Sequence, residues 1–451
     1  MTAVEILIAL LLIACAGFGA AALALPRGRT DVPEFVAVAI LFGGAFVSLA
    51  MFLCGVVCAD PLLRIAVSSC ALLLGAIGFF KTRKTFAFEW PRFSGALCLT
   101  LLALVFAQTI LVTWQSIAQT LRWDGVFAWE IKAHIAFLNG GRIPSAYFTD
   151  WSRAWSHPQY PFGLPMLEDW LYCWLGEPHQ GLVKVLFPFV YIAAIALLFV
   201  AGKRITGDIR IALTAAALPF FVPCLIVGPG SASCGWADFP IATVYLAAVF
   251  YLVDYATNAT RASLRLFSLC AALLPWTKQE GVILAGCLFL IGIFVALPRR
   301  ELTPMLLAAI PLAIVVIGWK IFLAAMHAPP QSDFLPFTPD TFLENWDRIG
   351  FVAKFLAGEA IRWSRWGVLW LVMLVALCDL ARRGRERHAV LLTATIALPV
   401  AIYSAVYIFS AWPNWRAHVS TSLPRLIMDV SLAAVLAIAL ALAPAKTGTH
   451  K

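Results

Sequence analysis

The sequence predicts an all-α polytopic membrane protein with about thirteen transmembrane helices, and three observations predict it. Of the 451 residues, 62% are hydrophobic and only 13% charged, at a mean hydropathy of +0.88, outside the range of a water-soluble globular chain. Apolar runs long enough to cross about 30 Å of hydrocarbon recur along the chain. The formal charge of +9 is spread over short loops between those runs, as the positive-inside rule expects. A nucleic-acid partner would need a clustered basic face, which the sequence does not show.

In order, the runs fall near 3–25, 34–58, 62–80, 93–113, 181–201, 211–228, 239–256, 281–298, 303–325, 366–380, 389–410 and 425–443. The first contains Leu12-Ile13-Ala14-Cys15, similar to a lipoprotein cleavage box. No positive segment precedes it and the run continues to Leu25, so it reads as an uncleaved span. A shorter run, Leu264 to Trp276, counts as a crossing because without it the two halves of the basic pattern contradict each other.

Alternate loops hold the basic residues: Arg27 and Arg29; Lys81, Arg83, Lys84 and Arg92; Lys203, Arg204 and Arg210; Arg261 and Arg265; Arg299 and Arg300; Arg382, Arg383, Arg385 and Arg387; Lys446 and Lys451. Those short loops are expected on the cytoplasmic side. The opposite set, with long loops 114–180 and 326–365 and shorter ones at 229–238, 276–280 and 411–424, carries the tryptophans, the prolines and most carboxylates. The N-terminus is therefore expected outside, the C-terminus inside, and the working face outside.

The eleven cysteines fall mostly in apolar runs, where a thiol behaves as a small hydrophobe. Cys54 and Cys58 lie one helical turn apart with no further ligand nearby, so packing explains them better than a metal. Cys173 and Cys234 fall on the same expected side and can pair.

Residues Leu121 to Pro165 form the longest stretch that cannot sit in lipid. Asp124, Glu130, Lys132, His134, Asp150, Arg153 and His157 are interleaved there with Trp123, Trp129, Trp151, Trp155 and Tyr160, a mixture that favours the headgroup level. Asp124 directly follows the fourth span. It can take a proton from an incoming hydroxyl or simply cap a helix. From Val126 to Leu138 the apolar residues Phe127, Ile131, Ile135 and Leu138 have helical spacing. Glu130 and His134 then share a face while Lys132 points elsewhere, and a surface amphipathic helix is the plainer reading. In His157-Pro158-Gln159-Tyr160-Pro161-Phe162-Gly163-Leu164-Pro165 three prolines and a glycine fix a rigid backbone that presents His157 and Tyr160. The alternative is a proline-rich re-entry in which Glu168 and Asp169 mark the surface.

Two further sites have the same style. Asp238 stands at the mouth of a span in Gly235-Trp236-Ala237-Asp238, and Lys278 and Glu280 occupy a tight turn between two spans. Such charges can be snorkelling salt bridges, but ionisable groups this close to hydrocarbon are functional candidates. Late in the chain, Arg416, His418 and Arg425 lie in one segment.

Together these segments resemble the integral-membrane glycosyltransferases of the GT-C superfamily, the group that includes protein O-mannosyltransferases and aminoarabinose transferases. The matching features are Asp124 after an early span, Trp129-x-x-Lys132-Ala133, the His157 to Pro161 segment, the Lys278 to Gly281 turn and the ending with His418, Ser422 and Arg425. The likeness runs from about residue 95 to the end. Residues 1–92 then stand as a three-helix extension before a module at 93–451. Many members carry adjacent acids in the first loop, whereas here Gly125 follows Asp124 and the next acid is Glu130.

The resemblance implies transfer of a monosaccharide from a polyprenyl-phosphate carrier to an acceptor hydroxyl on a glycan, lipid or protein. It makes Asp124, with Glu130, the catalytic candidates and Lys132, His157, Lys278 and Arg425 the candidates for the carrier phosphate. Tyr160, Asp238, Glu280 and His418 become candidates for the sugar or acceptor. A divalent metal, Mg²⁺ or Mn²⁺, serves some branches of the superfamily, and no oxygen-ligand cluster in the sequence decides for this chain. Two rivals stand beside this reading. A transporter or flippase for lipid-linked sugars should show mid-span charges and repeat symmetry, yet Lys320 is the main charge within a span and sits toward its end. An O-antigen polymerase or ligase would use a diphosphate-linked donor; the long outer loops fit it, the early acid less so.

Overall fold

The computed structural model describes residues 2–330, 333–384 and 386–443. It opens with α1 (Thr2–Ala24), α2 (Val32–Val57), α3 (Leu62–Thr85) and α4 (Ala96–Ala118). The first long loop folds into a π-helical turn over Gly125–Glu130, α5 (Ile131–Leu138), α6 (Ser145–Thr149), a 3-10 turn over Trp151–Ser156 and α7 (Gly163–Leu175). Then come α8 (Leu186–Thr206), α9 (Ile209–Ala217), α10 (Pro223–Ile226), α11 (Asp238–Asn258), α12 (Arg261–Thr277), α13 (Gly281–Ala296), α14 (Leu302–Leu307) and α15 (Ile310–Ala325). The second long loop holds α16 (Pro339–Glu344), α17 (Arg348–Ala360) and α18 (Trp363–Trp366). The chain closes with α19 (Leu369–Arg382), α20 (Glu386–Val406), α21 (Trp415–Met428) and α22 (Ser431–Ala441). Among the described residues the named strands are two short ones, β1 (Gly28–Asp31) and β2 (Phe86–Glu89), paired in parallel with Gly28 opposite Phe86.

This is an all-α, multi-pass membrane architecture. Among the described residues nine helices are long and apolar enough to cross a bilayer, or ten if the bent pair α21–α22 is one span. The other three expected crossings fall on shorter elements: Ile209–Phe221, the 17-residue α12 and the 14-residue α19. Prolines lie inside three of the helices, Pro275 in α12, Pro399 in α20 and Pro424 in α21, each removing one amide from the helix ladder. Large apolar side chains such as Leu7, Phe80, Ile110 and Ile314 remain exposed, which fits contact with lipid rather than water.

The bundle is built around α11, whose span window is wholly buried and which packs against α8, α12, α13 and α22. It carries an acid near each end, Asp238 and Asp254. Sixteen residues at 1.5 Å per residue set them about 24 Å apart, close to the thickness of the hydrocarbon core. Around Asp254 the basic loops gather. Arg204 pairs with Glu34 and, at 3.7 Å, with Asp254; Lys203 pairs with Asp31; Arg265 donates to the Ala24 carbonyl. Around Asp238 the segments picked out as the working face gather instead. The first three helices are integrated here: α2 packs on α7 and α8, and Trp276 Nε1 donates to Ser48 Oγ at 2.9 Å.

Candidate functional site

Asp238 begins α11 with its side chain fully buried, and two cations converge on it. Arg425, in the last turn of α21, grips it with a fork: Nε to Oδ1 and Nη2 to Oδ2, both at 3.1 Å. This planar two-point geometry is what distinguishes arginine from lysine. Lys278 Nζ approaches Oδ1 at 3.0 Å and Glu280 Oε1 at 3.4 Å. Burial alone would lower the Lys278 ammonium, but the Asp238 and Glu280 carboxylates hold it protonated above the ordinary lysine range.

Arg425 also reaches Asp124, Nη1 to Oδ2 at 2.5 Å, and its guanidinium lies 4.7 Å from the centroid of the Trp236 ring. Asp124 makes no capping hydrogen bond to the turn that follows it, so the helix-cap reading of this residue is overturned. Its side chain is 39% exposed and lines a cleft of about 670 Å³ together with Trp123, Trp236, Thr421 and Arg425. Behind the cations, Asp429 is buried at the break between α21 and α22. One of its oxygens accepts from the Tyr403 hydroxyl at 3.1 Å and the other meets no donor.

The turn holding Lys278 depends on close backbone approach. A Cβ on Gly281 would stand 2.1 Å from the Leu274 carbonyl, and one on Gly163 would stand 2.3 Å from the Trp276 carbonyl oxygen. Two glycines thus let α13 and α7 press against the end of α12 and set where Lys278 and Glu280 emerge.

Beside this cluster stands an aromatic wall. His157, at φ +50, stacks on Tyr160 with ring centroids 4.6 Å apart and planes 13° apart, so the proline-rich segment does present these two side chains together. His157 Nδ1 lies 3.7 Å from Asp333 Oδ2. Burial lowers the His157 imidazole, with Asp333 opposing. Burial, then Glu280, raises the Tyr160 phenol.

Two of the remaining candidates adjoin that wall: the Lys132 ammonium is 5.6 Å from the Tyr160 ring centroid, and Trp412, which stacks on His418, donates to the same Asp333 that faces His157. Lys132 is fully buried, donating to the carbonyls of Ala128 and, at 2.8 Å, Ser156; burial pushes its ammonium down to about 7. Its ammonium is committed to those two backbone carbonyls. Glu130 accepts from Tyr172 Oη at 2.9 Å and Gln180 Nε2 at 3.2 Å, and His134 Nδ1 lies 3.3 Å away. Glu130 and His134 share a face as expected, but the segment is not a surface helix, because Trp129, Glu130 and Lys132 are buried. His418 is held by Ser410 at 2.8 Å and stacked on Trp412. Glu168 and Asp169 do not mark a surface: both are wholly buried, and neither oxygen of Glu168 meets a donor. Burial, then Glu130, drives the Glu168 carboxyl well above its usual range. Cys173 and Cys234 are unpaired thiols.

Sequence reasoning missed Asp333, Asp429 and the cleft-lining pair Arg362 and Arg365. The run Arg362-Trp363-Ser364-Arg365-Trp366, basic and aromatic just before an apolar run, was the available signal for the last two. Among the described residues no group of three or more His, Cys, Asp and Glu side chains is placed to hold a metal ion, so no step below passes through one. Comparison with protein-family models, curated proteins and solved structures finds no match.

Proposed function

We propose that this chain is an inverting membrane glycosyltransferase of the GT-C kind, moving a monosaccharide from a polyprenyl-phosphate carrier to an acceptor hydroxyl at the outer face of the cytoplasmic membrane. The observation that carries it is Arg425, which joins a cleft-lining carboxylate, Asp124, to a buried one, Asp238, beside Lys278. That arrangement supplies a proton acceptor and an oriented cation lining one cleft, with the buried Lys278 behind them on the carboxylate that Arg425 also grips.

In the proposed reaction the acceptor oxygen bonds to the sugar's anomeric carbon as the bond from that carbon to the carrier phosphate oxygen breaks. The electron pair of the broken bond leaves with polyprenyl phosphate, and the acceptor's proton passes to Asp124 and then to water. Arg425 has five N–H donors, three of them engaged by Asp238 and Asp124. The remainder stabilise the charge that grows on the departing phosphate, and Lys278 acts through the buried Asp238 that it shares with Arg425. Asp238 is a positioning residue that fixes both cations, and Glu280 supports Lys278. Tyr160 and His157 form an aromatic wall suited to a sugar ring.

Transfer of label from polyprenyl-phosphate sugars in proteoliposomes tests the reading. Asp124→Asn should lower turnover by about 10²–10⁴ with membrane insertion intact, while Glu130→Gln, whose carboxylate is held by Tyr172 and Gln180, should keep most of it. Undiminished transfer by Asp124→Asn removes it as the base.

A further inference from the structure

The cleft has a second set of cations that this chemistry does not use. Glu359, near the end of α17, is a fully buried carboxylate; it accepts from Arg365 Nη1 at 2.7 Å and Trp366 Nε1 at 3.0 Å, with Arg362 Nε at 3.4 Å. One guanidinium would balance it. Two are present, with side chains 33% and 50% exposed, and both line the cleft.

Arg365 is anchored by its 2.7 Å hydrogen bond to the buried acid, and Arg362 adds a second positive charge through a longer ion pair at 3.4 Å; free arginine side chains lose considerable rotamer entropy on binding, and the anchored one has less to lose. The turn that follows is fixed as well. Gly367 has φ +54, and a Cβ there would meet the Phe221 carbonyl oxygen at 3.1 Å. The hydroxyl-bearing residues Ser364, Ser420 and Thr421 share the cleft lining. An anchored guanidinium, a second guanidinium beside it carrying surplus charge, and neighbouring hydroxyls are the chemistry that recognises phosphate or carboxylate.

We propose that Arg362 and Arg365 form a second anion subsite in this cleft, binding an anionic group of the substrates other than the carrier phosphate at Arg425. The identity of that group rests on the transferase reading; anion binding itself does not. The group is either a phosphate or carboxylate on the acceptor, or the second phosphate of a diphosphate-linked donor.

Isothermal titration of the detergent-purified full chain with inorganic phosphate tests this. Arg362→Gln/Arg365→Gln should lose a binding event that the wild type shows, its affinity there falling roughly tenfold or more. Arg362→Lys/Arg365→Lys, which keeps charge without the fork, should lose less. Wild type that takes up no phosphate, or identical isotherms for wild type and a folded glutamine pair, overturns the subsite. If the glutamine pair does not fold, the single Arg362→Gln, at the more exposed member, carries the same comparison.

Pyrophosphate separates the two sources. A diphosphate donor predicts pyrophosphate binding at least about tenfold tighter than phosphate, weakened both by the glutamine pair and by Arg425→Gln. An anionic acceptor predicts no such gain, and phosphate binding at the pair that survives Arg425→Gln. Because the readout is binding, a chain that transfers no sugar yet loses phosphate in the glutamine pair sinks only the transferase reading.

Discussion

Replacing Asp238 by alanine should be among the most damaging single substitutions at the site, and its size follows from the contacts. The carboxylate is fully buried and faces three charged N–H donors at 3.0, 3.1 and 3.1 Å. After its loss Arg425 still has Asp124, but Lys278, only 2% exposed, keeps only the longer Glu280 contact at 3.4 Å. Removing one partner of a buried ion pair costs about 3–5 kcal/mol, because the other charge is left desolvated. An exposed pair such as Arg29–Glu89 should lose no more than about 1 kcal/mol in Glu89→Ala. Unfolding free energies in mixed SDS–dodecylmaltoside micelles measure both. Adding Lys278→Met to Asp238→Ala removes the stranded ammonium and should recover a large part of the loss, giving a coupling energy of about 1–3 kcal/mol. A cost below about 1 kcal/mol for Asp238→Ala, or no recovery in the double variant, would refute the claim that the cluster is held by this buried carboxylate.

Lys132 makes a pH prediction. Its ammonium is lowered from 10.5 to about 7 by burial; between those values the unfolded chain holds a proton that the folded chain has shed, so stability should rise with pH across that window. Unfolding measured from pH 7 to 10 should show a shallower slope in Lys132→Met, and an unchanged slope would count against it. Gly281→Ala places a Cβ 2.1 Å from backbone and should cost about 1–3 kcal/mol or more together with transfer activity, read by size-exclusion monodispersity and the label assay. Wild-type behaviour of that variant would mean the α12–α13 turn is looser than described.

Much of the fold was legible because lipid imposes long apolar runs, and nine of the expected crossings coincide with helical spans long enough to cross a bilayer. Length and hydropathy could not tell a long span from the bent α21–α22 pair or from short α19, since those differences come from packing against the rest of the bundle. At the site, the short motifs around Asp124, Asp238, Lys278 and Arg425 pointed to residues that converge, but the partner that Asp124 meets, Arg425, stands 301 residues away and no local spacing could name it. The alternative that set Glu168 and Asp169 at the surface fails because α7 packs into the bundle against α2 and α5, which a pair of acids in sequence does not reveal. Asp333 and Asp429 stand alone in sequence, with no spacing to flag them, and only the folded chain brings them to His157 and Tyr403.

The most direct test of the central claim is native mass spectrometry of the detergent-purified protein, comparing wild type with a Lys278→Ala/Arg425→Ala chain. The account predicts a co-purified polyprenyl monophosphate or its sugar adduct on the wild type, lost in the variant. Retention of that lipid by the variant, or a wild type that carries no isoprenoid phosphate at all, would contradict it.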